Sequence, residues 1–272
     1  MKPIRKAELV AVGDELLNGL RENGHLVYLG GQLQEVNLGL SWASEFRDEP
    51  DEMVDGFRCA LDRSDLVIVT GGLGPTEDDY TVECMANALG RAVRRDKDVE
   101  ARIRSFFKER GREPTENNFK QCAIIDGATI LHNDNGTAPG QWIETGEQVI
   151  ALLPGPPREL IPMFEKQVLP RLVDMNWAQD GLAPLQIRSI GIGESQVAES
   201  LEPVFEAMRD QVRVAYCAHL GYVDVRISPV EGKIDGARLG QVGEDCRRKL
   251  GSGFLGFGTP EISCVIMKQL RS

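Results

Sequence analysis

The sequence lacks the features of membrane-bound and secreted proteins. None of its apolar runs approaches the roughly 18 residues that a membrane-spanning helix needs. The basic residues 1–6 are followed by acids at Glu8 and Asp14, and the apolar segment between these acids is too short for a secretion signal. Six cysteines are scattered without a C-x-x-C pair, which argues against a zinc ribbon or a redox motif. We therefore expect a cytoplasmic protein with free thiols.

Positive charge is also scarce. The 272 residues include 31 lysines and arginines against 42 aspartates and glutamates, a net charge of −11. A surface of this kind repels nucleic acid and anionic membranes, so neither is expected as a partner. An acidic protein that binds phosphates needs backbone amides, a few well-placed cations or a bound metal. The three histidines, His25, His132 and His219, are isolated in the sequence and indicate neither a catalytic triad nor a metal cluster.

What the sequence does contain is an alternation of strands and helices. Ala7–Val12 and Gln148–Leu153 are predicted to be short buried strands, and Leu66–Thr70 is an uninterrupted, largely β-branched run, as buried parallel strands tend to be. Between them, residues 23–35 and 51–61 carry apolar side chains at helical spacing. This alternation predicts a doubly wound α/β domain, which we place at residues 1–172.

The pattern changes after Leu172. A strand over Leu185–Ile190, a Gly-Ile-Gly-Glu-Ser turn that opens a helix, two paired strands and a helix over Gly236–Leu250 follow. They predict a second, smaller α+β domain at residues 173–255. A last segment, 256–272, has apolar residues at helical spacing and is predicted to be a terminal helix.

The stretch at 70–81, TGGLGPTEDDYT, joins a glycine-rich loop to three consecutive acids. Glycines at 71, 72 and 74 let a backbone approach a phosphate closely, and the start of the next helix adds positive dipole. In a doubly wound sheet, ligands lie beyond the carboxyl ends of the strands, where Asp78, Asp79, Asp48 and Glu15 are also placed. Acids beside an anion-binding loop are consistent with a divalent cation that both groups share.

A second interpretation of the same residues is purely structural. Thr76 and Asp79 fit the S/T-x-x-D pattern of a helix start, in which Thr76 and Asp79 cap each other and the remaining acids favour the helix dipole. For Lys120 and Arg158 the two interpretations are a phosphate contact and a solvated surface charge. For Asn118 they are a ligand contact and a helix cap.

Several motifs occur in an order that resembles a known family. They are VGDELLNG at 12–19, TGGLGPTEDDYT at 70–81, TENN at 115–118, GTAPG at 136–140 and LPGPP at 153–157, followed by GIGES at 191–195. Together they resemble the amino-terminal part of the competence/damage-inducible CinA family, which is related to the MoaB/Mog molybdopterin-binding fold. The resemblance covers residues 7–258.

The resemblance implies a three-layer α/β/α domain of MoaB/Mog type with a smaller α+β domain, assembled as a homodimer. It also implies hydrolysis of the pyrophosphate bond of ADP-ribose to AMP and ribose 5-phosphate, with a divalent metal (Mg²⁺, Mn²⁺ or Co²⁺) and stimulation by K⁺. Asp79 and Asp48, with Glu15, are the expected metal ligands, and Asp79, Asp78 and Asp48 the expected catalytic residues. The expected substrate-binding residues are Gly71, Gly72, Gly74, Thr76, Asn118, Lys120, Gly155, Pro156 and Arg158.

Two departures from the family pattern are visible. The family often has Asn-Thr-Asn after its first loop, where this chain has Asn23, Gly24 and His25. Many relatives also carry a carboxy-terminal nicotinamide-nucleotide amidase domain, and this chain stops where that domain would begin, so we expect no deamidation activity. Two other functions stay open, a molybdopterin- or nucleotide-binding protein and a non-catalytic partner module of a competence or DNA-damage pathway.

Overall fold

The computed structural model describes residues 5–177, 182–230 and 232–258. The chain divides into two compact units, Met1–Gln34 with Leu38–Gln179 and Glu35–Asn37 with Asp180–Ser272. The helix predicted within 256–272 falls almost wholly outside the described residues. In the described part of the chain, no helix is long and apolar enough to cross a membrane.

The first unit contains a six-stranded mixed sheet in the order β2-β1-β3-β8-β7-β6. Its strands, with a separate β4–β5 pair, are β1 (Ala7–Val12), β2 (Leu40–Phe46), β3 (Leu66–Thr70), β4 (Val93–Arg95), β5 (Ala123–Ile125), β6 (Thr129–Leu131), β7 (Gly140–Thr145) and β8 (Gln148–Leu153). Strands β1, β2, β3 and β8 are parallel, as predicted, whereas β7 and β6 run antiparallel. The predicted α/β class is confirmed, and four strands, β4 to β7, were not predicted from the sequence.

Helices cover the sheet of this unit. They are α1 (Asp14–Leu17), α2 (Gly24–Glu35), α3 (Pro50–Arg63), α4 (Thr81–Leu89), α5 (Lys97–Lys108), α6 (Pro157–Met163) and α7 (Leu169–Asp174), with a 3-10 turn at Glu116–Cys122 and a π turn at Phe164–Val168. On one face, Phe57 of α3 and Met85 of α4 pack with Val10 and Val69 in a single apolar cluster. Every residue of β1 and β3 is buried, including Glu8 of β1, whose carboxylate pairs with Arg63.

The strand register places the ends of the parallel strands side by side. Val12 pairs with Phe46, and Thr70 pairs with both Ala11 and Leu153. The loops that follow β1, β2, β3 and β8 therefore leave the sheet at one edge, which is the edge where ligands bind in sheets of this kind.

The second unit is a four-stranded antiparallel sheet in the order β10-β11-β9-β12. Its elements are β9 (Leu185–Ile190), α8 (Glu194–Phe205), β10 (Val212–His219), β11 (Tyr222–Pro229), α9 (Gly236–Leu250) and β12 (Phe254–Phe257). Ile187 and Val225 of the sheet pack with Leu201 of α8 and Val242 of α9. This unit has its own hydrophobic core, and its α+β class agrees with the prediction.

Candidate functional site

A cleft of about 600 Å³ opens at the edge of the first unit where the parallel strands end. Most of the residues singled out in the sequence line it: Glu15, Asp48, Gly71, Gly72, Gly74, Asp78, Asp79, Gly155, Pro156 and Arg158. Three others, Thr76, Asn118 and Lys120, do not line this cleft. The prediction that ligands lie beyond the carboxyl ends of the strands thus correctly grouped residues that are up to 143 positions apart in the chain.

The glycines of the loop after β3 are needed for packing. A Cβ atom on Gly71 would lie 2.3 Å from the carbonyl oxygen of Val12, and one on Gly72 would lie 2.2 Å from Oγ1 of Thr81. Both glycines have positive φ, at 97° and 63°. Oγ1 of the fully buried Thr81 donates to the carbonyl oxygen of Gly71 at 2.9 Å. The loop is therefore pressed between the end of β1 and the start of α4.

Asp79 holds the same loop from inside. Its Oδ1 accepts a hydrogen bond from the amide of Gly74 at 2.7 Å, and its Oδ2 accepts one from the amide of Thr76 at 2.8 Å and another from the Thr76 hydroxyl. The Thr76–Asp79 pair foreseen by the structural interpretation exists, but it does not cap α4, because that helix begins only at Thr81. Both carboxylate oxygens of Asp79 are already engaged with the loop.

Lys120 and Asn118 support the loop and a neighbouring turn. Nζ of Lys120 donates to the carbonyl oxygens of Thr76 and Glu77, at 2.9 and 3.3 Å, and lies 4.6 Å from the centre of the Tyr80 ring. Oδ1 of Asn118 accepts from the amide and hydroxyl of Thr115, at 2.9 and 3.0 Å, at the start of the 3-10 turn. The contacts of Asn118 are those expected of a helix cap. The ammonium group of Lys120 donates to backbone carbonyl oxygens of the protein.

The acids at the cleft differ in their electrostatics. Asp48 and Asp14 join the first two loops through reciprocal bonds, in which each carboxylate accepts from the other residue's amide, at 3.0 and 3.3 Å. Burial raises the pKa of the Asp48 carboxyl, and the negative charges of Asp14, Asp78 and Glu15 raise it further. Hydrogen bonds from Thr76 and from its own backbone amide lower the pKa of Asp78, which is therefore ionised at neutral pH.

The donor set of the cleft fits a cation that arrives with a phosphate. Among the residues that the structure describes, no three His, Cys, Asp or Glu side chains are grouped so that they could hold a metal ion. Magnesium bound with a phosphate needs only one or two carboxylates, because phosphate oxygens and water complete its shell. Glu15, Asp48 and Asp78 supply carboxylates of that kind along the cleft.

Two further groups shape the cleft and were not among the predicted site residues. Nδ1 of His25 lies 3.0 Å from Oγ1 of Thr70, and burial lowers the pKa of His25 while a hydrogen bond with the Gly155 backbone opposes the shift. The neutral His25 ring therefore connects α2 with the end of β3 and with the loop after β8. The departure from the family pattern at 23–25 was the only signal of this role in the sequence.

The other group is Glu159, which is buried at the start of α6. Its Oε2 accepts from Nδ2 of the buried Asn133 at 2.8 Å, and a Cβ atom on Gly136 would lie 2.2 Å from the same oxygen. Glu159 thus positions the loop at 133–137 against α6. The GTAPG motif and Glu159 were visible in the sequence, but their contact was not.

Two arginines, Arg21 and Arg158, line the cleft in the described part of the chain, where no lysine does. Nε of Arg158 lies 3.6 Å from Oε1 of Glu159, and 79% of its side chain is exposed. The amides of Gly72 and Leu73 donate no hydrogen bond within the described ranges. These two amides and two guanidinium groups are candidate donors for an anion in the cleft.

Comparisons with protein families match both units. A model described as a probable molybdopterin binding domain matches residues 8–174, and a model described as the damage-inducible protein CinA KH domain matches residues 186–252. The matched ranges correspond to the α/β unit and to the smaller antiparallel unit.

Similar proteins were found among curated sequences and solved structures. A CinA-like protein of Acidobacterium capsulatum is 38% identical over 237 residues, which cover 86% of this chain and 57% of that protein. A protein of Bacillus pumilus that is named as competence-damage inducible is 33% identical over 100% of this chain and 65% of its own length. The chain thus spans less than two thirds of these relatives. A solved structure, the protein CinA with unknown function from Thermoplasma acidophilum, is similar with a TM-score of 0.57 and 32% identity, over 61% of this chain and 98% of that one.

Proposed function

This chain belongs to the CinA family, and on that premise we propose that its cleft binds ADP-ribose and hydrolyses the pyrophosphate bond to give AMP and ribose 5-phosphate. The observation that carries the proposal is that anion donors and several carboxylates lie together where the parallel strands end. The amides of Gly72 and Leu73 lie in the same cleft as the carboxylates of Glu15, Asp48 and Asp78.

The binding step uses the donors of the cleft. The diphosphate would accept hydrogen bonds from the two loop amides, and Arg158 would balance part of its charge. Donors fixed in advance by the packed glycine loop are suited to stabilise the charge that develops on the phosphoryl group in the transition state. Asp79 would act as a positioning residue, because its oxygens hold the loop that carries these amides.

The chemical step needs an activated water. Mg²⁺, Mn²⁺ or Co²⁺, held by Asp48 and Glu15 together with the substrate phosphates, would supply polarisation of a phosphoryl oxygen and a lowered pKa of the attacking water. The ionised Asp78 would orient that water and accept its proton. AMP and ribose 5-phosphate then leave with one phosphate each.

The proposal is tested by a phosphatase-coupled assay of AMP release from ADP-ribose, with each of the three metals and with and without K⁺. We expect metal-dependent turnover, and a fall of about 100-fold or more in kcat for Asp48→Asn and Asp78→Asn, the usual contribution of a catalytic acid–base group. Asp62→Asn, on the exposed side of α3 outside the cleft, is the matched control and should keep full activity. No AMP release from the unaltered protein under any metal would reject the hydrolase.

One observation favours a second function. The model that matches residues 8–174 is described as a probable molybdopterin binding domain. A protein of this second type would bind a pterin phosphate in the same cleft without turnover of ADP-ribose. Calorimetric titration with molybdopterin beside the hydrolysis assay distinguishes the two functions.

A further inference from the structure

The wall of the cleft also contains two aromatic rings that no part of the proposed chemistry uses. Phe106 and Phe107, at the end of α5, both line the cleft. No tyrosine or tryptophan of the described ranges does so. The remaining lining is formed mainly by glycines, prolines, polar residues and acids, so α5 contributes the aromatic part of the site.

The two rings have different surroundings. Phe107 packs against an apolar cluster that includes Ile103 and Phe119. Phe106 is not part of that cluster, although it is half-buried and its ring meets Phe107 edge-on, with the centroids 6.0 Å apart. Phe107 therefore anchors the wall, whereas Phe106 presents an aromatic surface that the core does not need.

Phe106 is also held in place by a cation. The guanidinium of Arg110 lies over its ring, 3.5 Å from the centroid, and Nη1 of Arg110 donates to the Phe106 carbonyl oxygen at 2.9 Å. The ring is thus fixed from its edge by Phe107 and through one face by Arg110. A fixed ring with an adjacent guanidinium plane is the arrangement on which nucleobases stack.

We propose that Phe106, with Arg110, is the shelf on which the base of a bound nucleotide stacks. The inference rests on the proposed function, because it takes the ligand to be a nucleotide whose phosphates lie at the glycine loop. Any nucleobase can stack on a phenyl ring, but a ligand without a base gains nothing from it. The shelf would make the site prefer pyrophosphates that carry a nucleobase over those that carry sugars alone, and purines over the smaller pyrimidines.

The test compares a ligand with a base to one without. Affinities of the full chain for AMP and for ribose 5-phosphate are measured by calorimetry in the unaltered protein and in Phe106→Ala, Phe106→Trp and Phe257→Ala. Phe257, a partly exposed phenylalanine of the second unit, controls for loss of a surface ring. We expect Phe106→Ala to weaken AMP about 5- to 150-fold, the range for one stacked base, and to leave ribose 5-phosphate unchanged. Phe106→Trp should retain AMP affinity.

The possible failures are distinguishable. If Phe106→Ala weakens AMP and ribose 5-phosphate equally, or changes neither, the shelf is wrong and the proposed function stands. If the unaltered protein binds neither ligand, the proposed function fails and the shelf fails with it. Equal loss of AMP affinity in Phe257→Ala would assign the effect to general destabilisation and would also overturn the shelf.

Discussion

At the scale of single residues, the acids of the cleft separate into two groups with different contacts. Asp79 accepts hydrogen bonds from the loop through both oxygens. Asp78, its neighbour in the sequence, is exposed and ionised. The sequence placed both beside the glycine loop and left open whether Asp79 serves a ligand or the loop itself. Only its hydrogen-bond partners distinguish these roles.

We expect Asp79→Asn to act through the loop. An asparagine keeps one acceptor oxygen and replaces the other with an NH₂ donor, which cannot accept from the Gly74 or Thr76 amide. Loss of the charge-assisted bonds should destabilise the protein by about 1–3 kcal/mol and weaken AMP binding measured without any metal. Thermal unfolding and metal-free calorimetry check both effects.

The contrary result for Asp79 is equally specific. A variant with unchanged stability and unchanged metal-free AMP binding, but with weakened Mn²⁺ binding in the presence of AMP, would make Asp79 a metal ligand. Asp62→Asn again serves as the control, because it alters an acid of the same unit that lies outside the cleft.

At the scale of elements, the connection between β3 and α4 decides the shape of the site. The strand Leu66–Thr70 has the bounds that its run predicted, and the helix that follows the glycine loop begins at Thr81. Residues 78–80 do not continue the helix, because Asp79 turns back to bind Gly74 and Thr76. The helical segment after β8 is divided into α6 and α7 by a π turn at Phe164–Val168.

Two glycine variants separate the effect of tight packing on stability from the effect of backbone strain. Gly72 and Gly90 have nearly the same positive φ, 63° and 65°, but a Cβ atom on Gly72 would lie 2.2 Å from Oγ1 of Thr81, whereas none of the neighbouring atoms is within 4 Å of one on Gly90. Gly90→Ala should therefore lower the free energy of unfolding by about 1–2 kcal/mol, from left-handed backbone strain alone. Gly72→Ala should lower the free energy of unfolding clearly more. Urea unfolding measures the free energy of unfolding of both variants.

Equal losses in the two glycine variants would show that the loop moves away from Thr81 at little cost. A larger loss for Gly72→Ala, accompanied by weaker AMP binding, would instead confirm that the loop is pressed against α4 and that ligand binding depends on its exact path.

At the scale of the whole molecule, the chain consists of two units that each contain a complete sheet and a core. All the described residues that line the cleft belong to the first unit, between Val12 and Glu159. The second unit buries its own apolar residues between its sheet and the helices α8 and α9. The chemistry proposed for the cleft therefore needs no side chain of the second unit.

We expect a fragment of residues 1–179 to fold and to bind AMP with the affinity of the full chain, because it retains the six-stranded sheet and every cleft-lining residue. Circular dichroism, cooperative urea unfolding and calorimetry with AMP check this. A fragment that folds cooperatively but has lost AMP affinity would show that the second unit contributes to the site.

Much of this protein follows from local pattern. Mainly apolar runs identified β1, β3 and β8, since strands buried on both faces have few polar positions, and helical spacing identified α2, α3 and α9. The rule that ligands lie at the carboxyl ends of parallel strands then collected Glu15, Asp48, the glycine loop and Gly155 at one edge. The motifs in order identified the family, which the comparisons confirmed.

The tertiary structure decided what local pattern does not encode. The short strands β6 and β7 are defined by their partners in the sheet, and the contact of Asn133 with Glu159 joins residues 26 positions apart. How many loop amides a carboxylate binds depends on what folding brings within hydrogen-bond distance: Asp79 accepts from the amides of Gly74 and Thr76, and Asp48 accepts from the amide of Asp14. Phe106 became notable for the same reason, because only the folded chain shows that both rings line the cleft and that Phe107, unlike Phe106, packs against the apolar cluster.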